Sequence, residues 1–214
     1  MTLKTQIMPY KVMYLTFLAI AFAFITRDSS LGLSSKNFFS SEAVKSLINE
    51  KSAAFSLLTI IILVLEGLIP AGFRDRIIHL RWNNPLPGSQ AFTKIAPKDT
   101  RIDLDAIRAK NGELPTDPSL QNKLFYKLYS TVADKPSVMS SHKRYLLARD
   151  LGTVTYLLTL PATLIAMFSP NGALSGLIVL GTGVTIGLIF SMTAKNYSAR
   201  MVENSLALSA VLKK

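Results

Sequence analysis

The stretch SAAFSLLTIIILVLEGLIPAGFRDR (residues 52–76) joins a long apolar run to a cluster of charged residues. The apolar run continues past Glu66 as far as Phe73. A helix of ~20 mostly apolar residues crosses the ~30 Å hydrocarbon core of a bilayer. Residues 52–73 are therefore predicted to span a membrane, and the Glu66 carboxylate within them is expected to face away from lipid.

Three other apolar runs accompany this one, and hydrophobic residues make up 49% of the 214-residue chain. The runs are residues 12–26, which residues 7–11 extend, residues 151–168 and residues 173–194. Together the four runs predict an all-α membrane protein with four transmembrane helices. Lys11 is expected to extend its ammonium group to the membrane interface. The alternatives are buried helices of a soluble core, or a first run that is a signal peptide cleaved near Ala21-Phe22-Ala23.

The distribution of Lys and Arg predicts the topology, because short cytoplasmic segments of membrane proteins are rich in these residues. Segment 74–150 holds 14 of the 24 Lys and Arg residues, and both terminal segments are also basic. We therefore expect these parts in the cytoplasm, and residues 27–51 and 169–172 outside. The predicted domains are transmembrane helices 1 and 2 (1–73), a basic cytoplasmic segment (74–150), transmembrane helices 3 and 4 (151–194) and a cytoplasmic C-terminal helix (195–214).

The outer loop 27–51 carries a weaker helical pattern. Ser40 or Ser41 is suited to cap a short helix. The apolar face of that helix would carry Val44, Leu47 and Ile48. A solvated spacer is the alternative.

Segment 74–150 is predicted to be mostly helical, as an insertion between transmembrane helices 2 and 3. Residues 81–98 contain three prolines and a glycine, which predicts irregular structure. Asp103 and Thr116-Asp117-Pro118 are typical helix starts. Ser140 or Ser141 is predicted to start a third helix that runs into the third span. The helix after Pro118 has an apolar stripe formed by Leu124, Phe125, Leu128, Tyr129 and Val132.

The fourth span has a face of small residues, with Gly176, Gly183 and Gly187 at helical spacing. Such a face lets another helix approach closely. It is expected to pack within one subunit, to join subunits or to line a pore. Thr182, Gly183 and Gly187 are the candidate pore or gate residues. After residue 194 a stripe with Met201, Leu208 and Leu212 predicts a cytoplasmic helix through which subunits associate.

The sequence lacks the motifs of common catalytic sites, which favours a protein that is not an enzyme. The sequence has no phosphate-binding glycine loop, no HExxH, no nucleophile elbow and no cysteine. His79 and His142 are far apart in sequence, so no metal site and no cofactor is expected. The carboxylates of Asp99, Asp103 and Asp105 are close in sequence, but Asp103 and Asp105 fit a helix N-terminus better than a metal site.

Basic and aromatic residues in the cytoplasmic segment indicate a ligand with phosphates and bases. The candidate signal-binding residues are Arg81, Trp82, Lys94, Lys98, Arg101, Lys143 and Arg144. Binding of anionic lipid headgroups is the alternative, and it is favoured for residues 74–81, which follow the second span directly. Lys143, Arg144 and Arg149 are close to the third span and suit either kind of ligand.

Glu66 would lie about four residues past the midpoint of a span over 52–73, or ~6 Å toward the cytoplasm. Pro70 and Gly72 predict that the helix kinks or ends just beyond it. Glu66 then either fixes helix packing through a buried polar contact, with Arg74 as a partner if the helix continues, or lies at the cytoplasmic mouth of a water-filled path.

Four blocks of the sequence carry a resemblance to a known family. RWNNPLPGSQAF (81–92), PKDTRIDLDAI (97–107), LPTDPSLQNKLFYKLY (114–129) and SSHKRYLLARD (140–150), with the four-span layout, resemble the transmembrane effectors of Hailong-type bacterial anti-phage systems. The membrane subunit of Kiwa-type defence systems has a similar size and layout. The first resemblance implies a tetrameric channel in the bacterial inner membrane. It also implies a nucleotidyltransferase-like partner whose oligodeoxyadenylate product controls the channel. The resemblance transfers no residue roles.

The function expected from the sequence is therefore a homo-oligomeric ion channel gated by a nucleic-acid or nucleotide signal. A non-conducting membrane anchor or sensor, which recruits a soluble partner through residues 81–135, is the alternative.

Overall fold

The computed structural model describes residues 3–26, 50–169 and 172–211, and every regular element in these ranges is helical. The α-helices are α1 (Leu3–Thr26), α2 (Glu50–Glu66), α3 (Ala71–His79), α4 (Leu104–Asn111), α5 (Pro118–Ser130), α6 (Pro136–Met167) and α7 (Gly172–Val211). Between α3 and α4 lie three short turns of 3₁₀ or π helix, Pro87–Gln90, Ala91–Ile95 and Ala96–Lys98. The all-helical prediction is confirmed for these ranges. The helix predicted from Ser40 or Ser41 lies outside them.

The chain divides into two compact units. The apolar unit comprises Met1–Pro70 and Asp150–Ile189, and the basic unit comprises Ala71–Arg149 and Phe190–Lys214. The long helices α6 and α7 each contribute residues to both units.

The core of the apolar unit contains residues from α1, α2, α6 and α7. Phe22 of α1 stacks on Phe55 of α2, with ring centroids 4.2 Å apart. The remaining buried core residues are Leu15, Val154, Leu158, Ala162, Ala166 and Val179. Van der Waals contacts between these closely packed side chains favour the association of the helices, as in helix bundles within lipid.

Within the described residues three helices are long and apolar enough to cross a membrane, namely α1, α6 and α7. In the most apolar window of α6, 61% of the residues are buried within the chain, against 28% in α1 and 22% in α7. The α6 helix is therefore the central one of the three. The outward faces of α1 and α7 carry large apolar side chains that suit lipid or another protein surface.

The predicted second span is shorter than expected. Helix α2 ends at Glu66, and its 17 residues are at the lower limit for crossing a bilayer. The Gly67 amide donates a hydrogen bond to the Val64 carbonyl in a turn, and α3 begins at Ala71. The prediction that the helix ends just beyond Glu66 is confirmed, whereas a continuous helix to Phe73 is wrong. A crossing by α2, and with it the four-span arrangement, stays a prediction.

In the basic unit a buried glutamine holds the irregular turns between α3 and α4. The Gln121 Oε1 atom accepts hydrogen bonds from the backbone N–H groups of Phe92 (3.0 Å) and Thr93 (3.3 Å). Its amide nitrogen donates to the carbonyl of Thr116 at 2.8 Å. These bonds satisfy amide groups that the irregular backbone leaves without helical partners. Gly88 lies against the Phe125 ring so closely that any Cβ would overlap it.

The end of α7 belongs to the core of the basic unit. Met201, Val202 and Leu206 are buried within the chain, together with Ala210. This differs from the expectation that an apolar stripe of this helix is left for association between subunits. Leu208 is only half-buried, and Leu212 lies outside the described residues.

The helix starts predicted from local sequence are confirmed in two cases out of three. Asp103 caps α4 by accepting a hydrogen bond from the Ala106 amide, and Asp117 caps α5 with Pro118 in the first turn. The prediction of a start at Ser140 or Ser141 is wrong, because α6 already begins at Pro136. The uninterrupted run of this helix into the apolar segment is confirmed.

Candidate ligand-binding surface and gating residues

All seven residues predicted to bind a signal belong to the basic unit. Trp82, Lys94 and Lys98 are exposed, and so are Arg101 and Arg144. Arg81 and Lys143 are partly exposed. Two of the seven contact helix α7: an Arg101 nitrogen lies 3.4 Å from the Asn204 side-chain oxygen, and an Arg144 nitrogen lies 3.2 Å from the Tyr197 hydroxyl.

Arg101 is already engaged by an acidic neighbour. Its guanidinium donates hydrogen bonds to both carboxylate oxygens of Asp99, the shortest at 2.6 Å. These hydrogen bonds lower the pKa of Asp99 and raise that of Arg101. A phosphate at Arg101 would have to compete with this carboxylate, so Arg101 is less available to a phosphate than Lys94 and Lys98 are.

The three carboxylates that are close in sequence do not converge on one point. Asp99 bonds Arg101, Asp103 caps α4, and Asp105 pairs with Arg108 at 2.8 Å. Among the residues that the structure describes, no group of three His, Asp or Glu side chains has an arrangement suited to a metal ion.

Arg144 belongs to a cluster that also includes two residues of α7. Its guanidinium carbon lies 5.4 Å from the centroid of the Tyr197 ring, and that of Arg200 lies 5.7 Å from the same centroid. Both distances are in the range of cation–π contacts. Both arginines are exposed, and neither takes part in any ion pair of the described residues.

A second polar cluster in the basic unit is buried. The Asp75 Oδ1 atom accepts a hydrogen bond of 2.6 Å from the Tyr145 hydroxyl and lies 3.4 Å from an Arg149 nitrogen. The His79 Nε2 atom lies 3.4 Å from the same hydroxyl. These four side chains join α3 to α6.

The burial of this cluster corrects one expectation about the basic residues near the spans. Arg74 and Arg149 were expected on a surface, where they would meet lipid headgroups or a ligand. Both side chains are buried. For Arg149, Asp75 supplies a buried opposite charge and Tyr145 packs against the guanidinium. A buried arginine with such partners is not available to either ligand.

Burial has a further effect on His79. It lowers the pKa of this imidazole to about 4, and the neighbouring Asp75 carboxylate only partly opposes the effect. His79 is therefore neutral near pH 7. Its Nε2 atom can form a hydrogen bond with the Tyr145 hydroxyl without adding a charge to the cluster.

In the apolar unit a buried ion pair joins α1 to α6. The Lys11 ammonium lies 2.6 Å from the Asp150 carboxylate, and both side chains are buried. The expectation that Lys11 extends to the membrane interface is therefore wrong. Three residues along α1, the Tyr14 hydroxyl is 2.7 Å from that of Thr155, so a second polar contact joins the same helices.

The small residues of the predicted fourth span, which lies in α7, pack against the same chain. A Cβ atom at Gly183 would overlap the Thr159 hydroxyl, and one at Gly187 would overlap the Tyr156 ring. Of the three interpretations of this face, packing within one subunit is the one for which these contacts provide a physical reason. Thr182 is exposed and lines an apolar groove of about 170 Å³, together with Phe17, Phe22, Phe55 and Val179.

The groove is lined by hydrocarbon even where threonines border it. The Thr155 and Thr159 hydroxyls donate to backbone carbonyls four residues earlier, and Phe17, Leu158 and Ile186 line the rest. Such a surface suits apolar groups and offers little to a hydrated ion.

The candidate gate residue Glu66 is the last residue of α2. Its side chain lies outside the part of the chain that the structure describes. The two interpretations of Glu66, a packing contact or the mouth of a path, therefore both stand as predictions.

Sequence reasoning missed Tyr197, Arg200, Asp75 and Tyr145. The spacing of Tyr197 and Arg200, three residues apart on a helix, was a signal for a shared face. The pairing of Asp75 with Arg149 had no such signal, because the two residues are separated by 74 positions.

Comparison of the chain with protein-family models, with curated proteins and with solved structures gives no match.

Proposed function

We propose that this chain is a homo-oligomeric ion channel of the bacterial inner membrane. It crosses the membrane four times with both termini in the cytoplasm, and a nucleic-acid or nucleotide signal on its basic unit opens it. The role in anti-phage defence, the tetrameric state and a nucleotidyltransferase-like partner that makes the signal follow from the resemblance of segment 74–150 to Hailong-type effectors.

The observation that carries the proposal is the continuity of α6 and α7. Each is a single helix with one part in the basic unit and another in the apolar unit. A ligand on the basic unit can change the contact between the polar ends of α6 and α7. The same two helices provide apolar segments long enough to cross a membrane. Gating needs only that the ligand binds the open state more tightly than the closed state.

The surface of the basic unit supports the choice of an anionic, aromatic ligand. Lys94, Lys98 and Arg144 provide exposed positive charge, and Trp82 is 73% exposed. Guanidinium and ammonium groups bind phosphates, and an exposed indole stacks on a base.

The outward face of α7 supports association of subunits. Leu177, Val184 and Leu188 are exposed on it, and so are the small residues Gly181 and Thr185. A face that mixes large apolar and small residues suits helix packing between subunits as well as contact with lipid.

The experiment is reconstitution of the purified protein into planar bilayers. We expect conductance that rises when a short single-stranded oligonucleotide is added to the side that the basic unit faces. A protein that is folded by circular dichroism but conducts under none of these conditions would contradict the channel.

A second candidate function is favoured by one face of α5. Leu120 and Tyr126 are 55% and 66% exposed there, beside the exposed Lys123 and Lys127. An apolar and basic face of this kind suits a soluble protein partner with an acidic surface. Capture of such a partner that Leu120→Ser and Tyr126→Ser abolish, without any current in bilayers, would support an anchor or sensor.

A further inference from the structure

The side chains of Arg144, Tyr197 and Arg200 form a cluster in the basic unit. Tyr197 and Arg200 lie one turn apart on α7, and Arg144 lies on α6. The Arg144 guanidinium both donates to the Tyr197 hydroxyl and lies near its ring. One half-buried tyrosine therefore fixes the positions of two arginines from different parts of the chain.

The surroundings of these two charges differ from those of Arg101, Arg108 and Arg149. Asp99, Asp105 and Asp75 neutralise other arginines, as in the Asp105–Arg108 pair at 2.8 Å. No ion pair of the described residues includes Arg144 or Arg200. Two like charges held near one ring repel each other, and an anion that binds both would reduce that repulsion.

We infer that Arg144 and Arg200, positioned by Tyr197, form a clamp for a phosphate group. A guanidinium donates two parallel hydrogen bonds to phosphate oxygens, a geometry that an ammonium group cannot reproduce. Because the tyrosine already restricts both side chains, less conformational entropy is lost when the phosphate binds. A bound phosphate would connect α6 to α7.

The phosphate has two chemical sources, the backbone of a nucleic acid or nucleotide and the headgroup of an anionic lipid. The first source rests on the proposed function, since it makes the clamp the place where the signal binds. The second does not depend on that function.

The first arm of the test measures binding of a fluorescein-labelled single-stranded oligodeoxynucleotide to the full-length protein in detergent, by fluorescence polarisation. We expect Arg144→Gln and Arg200→Gln each to weaken binding by about tenfold or more. Arg108→Gln removes the same charge from an exposed arginine that Asp105 already pairs. It is the matched control and should weaken binding by less than about threefold. An oligonucleotide with an uncharged methylphosphonate backbone should bind all four proteins equally weakly.

Arg144→Lys separates hydrogen-bond geometry from charge. It keeps the positive charge but loses the planar fork, so its affinity is expected between those of the wild type and Arg144→Gln. This variant also keeps the test decisive if Arg144→Gln does not fold. If Arg144→Lys binds the oligonucleotide as tightly as the wild type does, a clamp that depends on guanidinium geometry is contradicted.

The second arm measures retention of phosphatidylglycerol against phosphatidylcholine by native mass spectrometry. Unchanged oligonucleotide binding with less retained phosphatidylglycerol in both glutamine variants would support the clamp and identify a lipid phosphate as its ligand. If both variants behave like Arg108→Gln in both arms, the clamp is overturned.

Failure of the clamp and failure of the channel are distinguishable. An oligonucleotide that binds at the clamp but changes no conductance supports the clamp and contradicts the channel. A signal-dependent current that survives Arg144→Gln and Arg200→Gln supports the channel and contradicts the clamp as its signal site.

Discussion

The Lys11 ammonium and the Asp150 carboxylate form a buried ion pair at 2.6 Å, between the first and the central apolar helix. The residue before Asp150 is Arg149, which is also buried and approaches Asp75. Two consecutive residues of α6 with opposite charges thus each have a buried partner of the other sign. One turn of this helix fixes α1 within the apolar unit and α3 within the basic unit.

Asp150→Asn should therefore destabilise the protein strongly. Removing one partner of a buried pair leaves the other charge without compensation, at a cost of about 3–5 kcal/mol. Thermal unfolding in detergent would measure it. Asp134→Asn is the control, since Asp134 is exposed and lies 3.9 Å from Lys135, and it should cost less than about 1 kcal/mol. Equal unfolding temperatures for the two variants would argue against the pair. Adding Lys11→Met to Asp150→Asn should recover part of the loss.

The glycines of α7 give a prediction about packing. Gly183→Ala and Gly187→Ala should each destabilise by about 1–3 kcal/mol, because the added methyl group meets Thr159 or Tyr156. Gly181→Ala is the control, since no atom lies within 4 Å of a Cβ atom there. Unfolding temperatures test this directly. If the alanine variants keep their stability but change the single-channel current, Gly183 and Gly187 would instead be pore residues.

His79 predicts how stability depends on pH. Its pKa is about 4 in the folded protein and 6.5 in an unfolded chain. Between these values the unfolded state binds more protons, so stability falls as pH decreases from 6.5 to 4 and is constant for this group above 6.5. The loss amounts to roughly 3 kcal/mol at most. His79→Gln should make the free energy of unfolding depend less on pH between 4 and 6.5. If the pH dependence is unchanged, it comes from other groups.

The exposed lysines of the irregular segment are expected to contact the signal. Lys94→Glu with Lys98→Glu should weaken oligonucleotide binding, and the remaining binding should depend less steeply on salt. Lys123→Glu with Lys127→Glu makes the same change of charge on the exposed face of α5. If the two double variants lose equal affinity at every salt concentration, the effect is one of net charge alone.

The prediction for Glu66 rests on its position at the end of α2 and not on side-chain contacts. Glu66→Gln should keep the fold and change conductance or gating, since a carboxylate at the end of α2 would contribute to the field at an aqueous mouth. Single-channel recording with a parallel unfolding curve separates the two interpretations. A large loss of stability with unchanged current would make Glu66 a packing residue.

Local features of the fold could be predicted because their causes are local. Asp103 and Asp117 each bond an amide two or three residues later, so the sequence alone contains both partners. The start of α6 was misplaced because Ser140 and Ser141 fit a cap, while Pro136 fits a first turn equally well; Ser141 instead bonds the Ser137 carbonyl inside the helix.

Features of the site that depend on distant partners could not be predicted. The glycine spacing indicated a close approach at Gly187 but contained no information that the partner is Tyr156. Arg74 and Arg149 are of a residue type expected on a surface, and for Arg149 only the proximity of Asp75 and Tyr145 makes burial favourable. The charge of Arg144 is enough to make it a candidate for signal binding. Its neighbours Tyr197 and Arg200 lie in a segment for which the sequence predicts association between subunits.

The dependence of the turns at 87–98 on Gln121 bears on the order in which the chain acquires its structure. The amides of Phe92 and Thr93 receive their acceptor from a residue about 28 positions later. During synthesis this segment is therefore made before its acceptor, and it gains its final backbone only when α5 has formed and docked. Gln121→Leu would remove the acceptor while nearly preserving volume, and it should make residues 87–98 the first part of the basic unit cut by a protease.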